Sequence, residues 1–193
     1  MLDKDLSLQY KEFKPFMVGI ENTAQFIGAG AESRVFKLQL PFGAYAVKIA
    51  KENVENGRGK IMDRNLVTKN KISSGLKGIG IDGLEQFVTG SIEDYTTIYR
   101  LAEGTQLNRT NESVIELITY EQKEKLNRTI LEATEAGLAF DGANPSGANA
   151  FYSPEKGFTL IDYREAYRPL TYRQNWSAAL RSLGPVALQA FAN

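Results

Sequence analysis

The sequence contains no cysteine and no histidine, and each absence excludes several classes of protein. Without cysteine there is no disulfide framework, no thiolate zinc site and no cysteine nucleophile. Without histidine there is no Ser-His-Asp triad, no histidine-based zinc site and no imidazole general base. Any catalysis must therefore use carboxylates, amines, hydroxyls or amides, together with an oxygen-bound metal such as Mg²⁺.

An excess of charge of one sign is also lacking, because 23 basic residues balance 23 acidic ones. This balance argues against broad binding of nucleic acid or of an anionic membrane. No stretch reaches the roughly 18 apolar residues of a membrane span. Residues 1–6 are charged and lack the apolar region of a secretory signal peptide. We expect a cytoplasmic protein, or one exported by machinery that reads other signals.

A length of 193 residues predicts one domain, or two lobes that share a cleft. The segment before Gly104 is rich in short β-runs separated by glycine, and helical patterns dominate after it. Residues 23–27, 34–40 and 44–50 predict a β-meander. In its third strand, one face carries Tyr45, Val47 and Ile49, and the other carries Ala44, Ala46, Lys48 and Ala50.

Further elements are predicted from periodicity and turn residues. A helix is expected over residues 60–74, and strands are expected at 87–88 and 96–101. A longer helix is expected over 111–139, with a capping box from Thr119 to Gln122. A hairpin of residues 150–152 and 158–161 follows, and one or two helices are expected over 174–193.

The first motif with possible chemistry is the run Gly28-Ala29-Gly30-Ala31-Glu32-Ser33. It lies between two predicted strands, whereas a Rossmann turn or a P-loop opens a helix. Glycines in a β-turn allow backbone N–H groups to approach the phosphates of a nucleotide closely. The alternative is an ordinary hairpin turn.

The second motif is Lys48, which follows Gly30 by 18 residues on the next-but-one strand. A lone lysine on a strand is often a solvated edge charge. Its small neighbours Ala46 and Ala50, however, leave room on that face for a flat ligand such as a nucleotide.

The third motif joins Asn149 and Asp162, which lie 13 residues apart at the base of the predicted hairpin. Amide and carboxylate oxygens at neighbouring strand ends can share one Mg²⁺ ion. The alternative is that the aspartate caps a turn and the asparagine occupies a left-handed loop position.

The order of these features over about residues 23–168 resembles that of the eukaryotic-like protein kinase superfamily. The chain resembles in particular the minimal bacterial effector kinases of the HopBF and OspG/NleH kinds, which are about as short and are injected into host cells. The run Leu160-Ile161-Asp162-Tyr163-Arg164-Glu165 looks like their version of the metal-binding motif, in place of D-F-G.

The resemblance implies an α+β, two-lobed minimal kinase fold. An antiparallel β N-lobe would cover residues 1–101, and a small, mainly helical C-lobe would cover 102–193. It also implies ATP and Mg²⁺ as cofactors. Gly28, Gly30 and Ser33 would cover the phosphates, and Lys48 would hold the α- and β-phosphates. Ala46 would pack on adenine, the backbone of Arg100, Leu101 and Ala102 would form the hinge, and Asn149 and Asp162 would hold Mg²⁺.

The catalytic base departs from the family pattern. Kinases place an aspartate five residues before the metal-binding asparagine, and this position is Asn144. An amide cannot accept the proton of the substrate hydroxyl. Either Asp141 is the working acid in a loop three residues longer than usual, or the base is missing, naturally or through an Asp-to-Asn change.

The acidic partner expected for Lys48 also differs from the family pattern. Kinases place a glutamate on the helix after the lysine strand, and residues 60–74 contain no glutamate. Asp63, Glu52 and Glu55 are the candidates, and each of them is also a plausible surface charge.

The resemblance predicts an ATP-dependent Ser/Thr protein kinase, delivered by a bacterium into the host cytosol. Its host substrate would be a heat-shock chaperone or a ubiquitin-pathway protein. One alternative is a pseudokinase-type binding module that acts on host ubiquitin or signalling machinery, and another is a small-molecule phosphotransferase. Only 31 residues follow Asp162, too few for a full activation segment, so residues 163–172 are expected to select the substrate.

Overall fold

The computed structural model describes residues 2–52, 54–55, 61–107, 118–140, 149–184 and 191, which form an α+β protein. The helices are α1 (Leu2–Met17), α2 (Ile20–Thr23), α3 (Arg64–Lys77), α4 (Tyr120–Glu135) and α5 (Tyr172–Ser182). The first strands are β1 (Gln25–Ala29), β2 (Ser33–Leu40), β3 (Gly43–Ala50), β4 (Val54–Glu55), β5 (Ile61–Met62), β6 (Phe87–Ser91) and β7 (Thr96–Arg100). The later strands are β8 (Thr105–Gln106), β9 (Leu138–Ala139), β10 (Ala150–Ser153), β11 (Gly157–Leu160) and β12 (Arg164–Glu165).

Contacts divide the chain into two compact units. The first unit contains Met1–Leu76 and Gln86–Leu101, and the second contains Lys77–Glu85 and Ala102–Asn193. The sequence predicts a single division of the chain, between residues 101 and 102. Residues 77–85 therefore belong with the second segment, although they lie inside the first in the sequence. In the part of the chain that is described, no helix has the length and apolar character to cross a membrane.

The first unit is organised by a five-stranded antiparallel sheet in the order β1-β2-β3-β7-β6. The predicted meander is confirmed, with strand ends shifted by one or two residues. Alternation along β3 is also confirmed, because Tyr45 and Val47 lie in the apolar core on one face. Helix α3 is inserted between β3 and β6, and it begins four residues later than predicted.

Helix α1 was not predicted from the sequence, and it covers the apolar face of this sheet. Tyr10 and Phe13 are buried in the same cluster as Tyr45, Val47 and Ile98. The Tyr10 hydroxyl forms side-chain hydrogen bonds near β6 and β7. Burial, with the nearby charge of Asp94, raises the pKa of Tyr10 well above its usual value. The helix therefore stabilises the sheet through both an apolar and a polar contact.

The second unit is built on helices α4 and α5 and a small three-stranded sheet of β11, β10 and β8. The predicted capping box of α4 is confirmed, since Thr119 and Gln122 bond reciprocally. The helix ends at residue 135 rather than 139, and residues 111–117 of its predicted range lie outside the described residues. The β10–β11 hairpin is confirmed. The hydrophobic core of the second unit contains apolar side chains of α4, of β9 and of the β10–β11 hairpin, among them Leu126, Ile130, Leu138, Ala150 and Leu160.

Candidate functional site

One row of residues across the first unit's sheet contains two of the predicted site residues. Gly28 pairs with Val35, Val35 pairs with Lys48, and Lys48 pairs with Thr97. Residues paired directly across strands lie on the same face, and neighbouring strands are about 4.8 Å apart. Gly28 and Lys48 therefore share a face, with their backbones about 10 Å apart.

Lys48 is buried, with 7% of its surface exposed, in the central strand of the sheet. It is therefore not a solvated edge charge, which was the alternative left open by the sequence. Its Nζ lies 4.4 Å from the centroid of the Tyr99 ring. Ala46 lies on the same face and pairs with Tyr99. Lysine is rarely buried unless its charge has a partner, and the Tyr99 ring supplies one such contact within the chain.

The two glycines before the turn face open space. A Cβ atom placed on Gly28 or Gly30 would meet no atom of the described residues within 4 Å, and neither glycine has a left-handed φ. Packing within the chain therefore does not demand glycine at these positions. The close approach of a ligand to the backbone is a reason that remains for both. Ser33, the third predicted phosphate-covering residue, is buried at the start of β2, with 5% of its surface exposed.

The predicted hinge residues are partly occupied by hydrogen bonds within the sheet. The Arg100 amide donates to Gln86 O, and the Leu101 amide donates to Ala44 O. The Arg100 guanidinium lies over the Tyr45 ring and donates to the Tyr45 hydroxyl at 2.7 Å. Of the three predicted hinge amides, only that of Ala102 is left as a candidate donor to a ligand.

The candidate acidic partners of Lys48 have different surroundings. Asp63 accepts a hydrogen bond from the Asn65 amide at 2.8 Å and so caps the first turn of α3. Glu52 is exposed. The side chain of Glu55 lies outside the described residues. Helix α3 contains no acidic residue over Arg64–Lys77, and Asp63 directly precedes it. The structure thus gives Asp63 a capping role.

In the second unit, the β10–β11 hairpin brings Asn149 and Asp162 to the same end. Ala150 pairs with Leu160, and the Ile161 amide donates to Asn149 O at 2.9 Å. Residues opposite each other in an antiparallel pair have Cα atoms about 5 Å apart, and Asp162 directly follows Ile161. The hairpin therefore holds the backbones of the two predicted metal ligands as neighbours.

Asp162 has a left-handed backbone, with φ of 59°. This conformation costs about 1 kcal/mol for a residue other than glycine, although aspartate tolerates it better than most. Non-glycine residues held in this region cluster at functional sites, because the surrounding structure must enforce the conformation. The residue after it, Tyr163, is buried and anchored, since its hydroxyl donates to Glu85 O at 2.8 Å.

Tyr163 is held against residues 77–85. A Cβ atom on Gly78 would lie 2.5 Å from the Tyr163 hydroxyl, so this close approach requires glycine. Glu85 is itself buried, with 4% exposed. Burial, together with the charge of Glu85, raises the pKa of Tyr163 well above its usual value. The phenol therefore stays protonated and continues to donate its hydrogen bond.

The Asn149–Asp162 pair fits a Mg²⁺ ion by donor chemistry. Mg²⁺ prefers oxygen ligands and is usually bound by one or two carboxylates, with water and substrate phosphates completing the shell. Among the described residues, no group of three or more Asp, Glu, His or Cys side chains forms a metal cluster. An amide and a carboxylate alone are consistent with a metal that arrives with a nucleotide.

Asp141 and Asn144, the candidates for the catalytic base position, lie outside the described residues. The strand that leads to them is described, and it is fixed by a residue that sequence reasoning missed. Asn175 of α5 is fully buried, and its Oδ1 accepts from the Phe140 amide at 3.1 Å. Its Nδ2 donates to Leu138 O at 2.9 Å and to Thr134 Oγ1 at 2.8 Å. The sequence does contain a signal for this role, because Asn175 is a polar residue within the helical segment predicted over residues 174–193.

No protein-family model matches the chain, and no curated protein matches it significantly. The functional conclusion therefore depends on the residues and their arrangement.

Proposed function

We propose that the chain is a minimal ATP- and Mg²⁺-dependent protein kinase with the two-lobed arrangement of that superfamily. The observation that carries this proposal is the buried Lys48, which lies in the same sheet row as Gly28 and follows Ala46 on the same face. Kinases place their ATP-binding lysine on the third strand, after a glycine-rich hairpin and before a helix. Strands β1 to β3 and helix α3 follow that order.

In this proposal each unit contributes one part of the chemistry. Backbone amides around Gly28 and Gly30 contact the phosphates, and Lys48 neutralises charge on the α- and β-phosphates. Asn149 and Asp162 would hold Mg²⁺, which would supply positive charge to offset the charge that develops on the phosphates. The left-handed turn at Asp162 and the anchored Tyr163 beside it fix the backbone that carries this carboxylate.

The proposed step is transfer of the γ-phosphoryl group to a Ser or Thr hydroxyl. The bond between the γ-phosphorus and the bridging oxygen breaks, the hydroxyl oxygen forms a new bond to phosphorus, and ADP leaves. The hydroxyl proton passes to the Asp141 carboxylate or to the transferred phosphoryl group. Positioning and charge neutralisation supply most of the catalysis in such reactions, so an amide at position 144 is compatible with transfer.

The amide at Asn144 also favours a second candidate, a pseudokinase that binds nucleotide and serves as an interaction platform. Transfer of radiolabelled phosphate from ATP to a protein separates the two. The kinase proposal expects labelling of a purified heat-shock chaperone or ubiquitin-conjugating enzyme, the host substrates that the resemblance suggests. The platform proposal expects no labelling, even after Asn144→Asp.

The first test of the proposal is nucleotide binding. At a concentration of Mg-ATP about 100-fold above its Kd, the free energy of unfolding should rise by about 2.7 kcal/mol. Thermal melting should then shift upward by several degrees. Lys48→Met should lower the affinity for ATP at least tenfold, because it removes the cation that contacts the phosphates.

Lys11→Met is the matched control, because Lys11 is an exposed lysine of the same unit. It should leave both the melting temperature and the ATP shift unchanged. A wild-type protein that binds neither ATP nor ADP by calorimetry would refute the nucleotide-binding proposal.

A further inference from the structure

The turn of residues 30–33, which joins β1 to β2, is held from outside the hairpin by Lys51. Its Nζ donates to Gly30 O at 2.6 Å, and its backbone amide donates to Glu32 O at 3.0 Å. Within the turn, the Gly30 amide donates to Ser33 O at 2.9 Å. Lys51, the residue that follows β3, thus bonds the carbonyl groups of two turn residues, Gly30 and Glu32.

A second lysine contacts the same turn from helix α3. Lys71 Nζ lies 3.3 Å from Glu32 Oε2, and their side chains are 14% and 42% exposed. A partly exposed ion pair contributes little free energy by itself. The ammonium-to-carbonyl bond of Lys51 is charge-assisted and is expected to be the stronger contact. Lys51 is therefore the main support of the turn, and Lys71 is the lesser one.

We propose that Lys51 and Lys71 form a latch that orders the glycine-rich turn before a nucleotide binds. The inference rests on the proposed function, because the ligand that would benefit is the phosphate chain of a nucleoside diphosphate or triphosphate. A turn that contains a glycine loses much conformational entropy when a ligand orders it. If the fold has already fixed that turn, binding no longer carries this cost, and affinity rises without a new contact to the ligand.

The latch acts on the phosphate-binding turn and not on the adenine-binding face, which Ala46 and Tyr99 line. Lys51 and Lys71 are therefore positioning residues. Their removal should weaken ligands according to the number of phosphates that they carry. A general loss of stability would instead weaken ATP and adenosine alike.

The first measurement is amide hydrogen exchange in the nucleotide-free protein. In Lys51→Met, exchange within residues 30–33 should be roughly fivefold to tenfold faster, because a charge-assisted hydrogen bond of a half-buried lysine is lost. Lys71→Met should increase exchange by roughly twofold. Lys69→Met is the control, since Lys69 is an exposed lysine of the same helix. It should leave exchange in this turn unchanged.

The second measurement is nucleotide affinity, by calorimetry for Mg-ATP and by competition for adenosine. Lys51→Met should raise the Kd for ATP by roughly fivefold to tenfold and leave the Kd for adenosine within about twofold. Unchanged exchange in Lys51→Met would overturn the latch. Faster exchange with equal effects on ATP and adenosine would overturn its role in phosphate binding. If the wild-type protein bound no nucleotide, the proposed function would fail, while exchange would still decide whether the latch exists.

Discussion

Lys48 lies in the middle of a continuous antiparallel ladder, whereas Asp162 follows a strand of four residues and depends on contacts from distant parts of the chain. In the first unit, backbone hydrogen bonds on both sides of β3 fix the position of the lysine. In the second unit, buried side chains bond to backbone groups near the predicted site, as Asn175 does at Phe140 and Tyr163 at Glu85.

Because the two units are held by different kinds of hydrogen bond, they should tolerate different substitutions. A ladder of backbone bonds does not depend on the identity of a given side chain, so its polar side chains are replaceable. A side chain that satisfies buried backbone groups cannot be removed without leaving those groups unpaired, which costs about 1–3 kcal/mol for each of them. We therefore expect polar substitutions to be more harmful in the second unit.

The largest effect is expected for Asn175→Ala. This change leaves the Phe140 amide and Leu138 O without their buried partner, so the free energy of unfolding should fall by about 3 kcal/mol. Urea denaturation measures it. Asn127→Ala is the matched control, because the Asn127 side chain donates to Glu124 in an exposed hydrogen bond of α4, and it should cost less than about 0.5 kcal/mol. Equal losses for the two variants would contradict the comparison.

The next effect concerns alkaline pH, because each unit has one buried tyrosine whose pKa is strongly raised, Tyr10 in the first and Tyr163 in the second. Burial, reinforced by a neighbouring carboxylate, raises the pKa of Tyr10 and of Tyr163 above the ordinary value of 10.0. Both phenols stay protonated in the folded state, so their contribution is complete below pH 10 and is lost as pH rises further. The free energy of unfolding should fall by about 1.4 kcal/mol per pH unit for each tyrosine.

Single substitutions test this assignment for each unit. Tyr163→Phe and Tyr10→Phe should each remove about 1 kcal/mol of the difference in unfolding free energy between pH 10 and 11. Exposed Tyr120→Phe serves as control and should leave the pH dependence as it is. A variant of either buried tyrosine with the wild-type slope would show that the phenol ionises normally in the folded protein.

The smallest effect is expected for Thr97→Val in the first unit. Among the buried side-chain polar atoms of the described residues, its hydroxyl oxygen is the one without a hydrogen-bond partner. Replacing it by a methyl group of similar size should raise the free energy of unfolding by about 0.5–1 kcal/mol.

The same substitution in the second unit should have the opposite sign. The Thr129 hydroxyl contacts Asp82 O at 2.6 Å and Lys125 O at 2.9 Å. Thr129→Val should therefore lower the free energy of unfolding by about 1–2 kcal/mol. Changes of the same sign at both positions would remove the distinction between the two units.

Local patterns made part of this architecture predictable from the sequence. Alternation in residues 44–50 correctly placed Lys48 and Ala46 on the face opposite the apolar core, because a strand fixes side-chain direction with a period of two. The capping box at Thr119 and the hairpin after Ala150 are also local, since each is completed within a few residues.

Other features depend on contacts that no local pattern contains. Helix α1 escaped prediction because Pro15 disfavours a helix interior, although the spacing of Tyr10, Phe13 and Met17 follows one helical face. The bond from Asn175 to Phe140 joins residues 35 apart, and the bond from Tyr163 to Glu85 joins residues 78 apart. Such pairings follow from tertiary packing rather than from periodicity.

The assignment of Lys77–Glu85 to the second unit has a consequence for dissecting the molecule. The chain passes between the units three times, so a cut between residues 101 and 102 does not release two self-contained pieces. The amino-terminal fragment would carry Leu84 and Glu85 without their backbone partner Leu160. The carboxy-terminal fragment would lack residues 83–85, so the backbone groups of Leu160 would lose their hydrogen-bond partners. Fragment complementation, rather than truncation, is therefore the appropriate way to study either half in isolation.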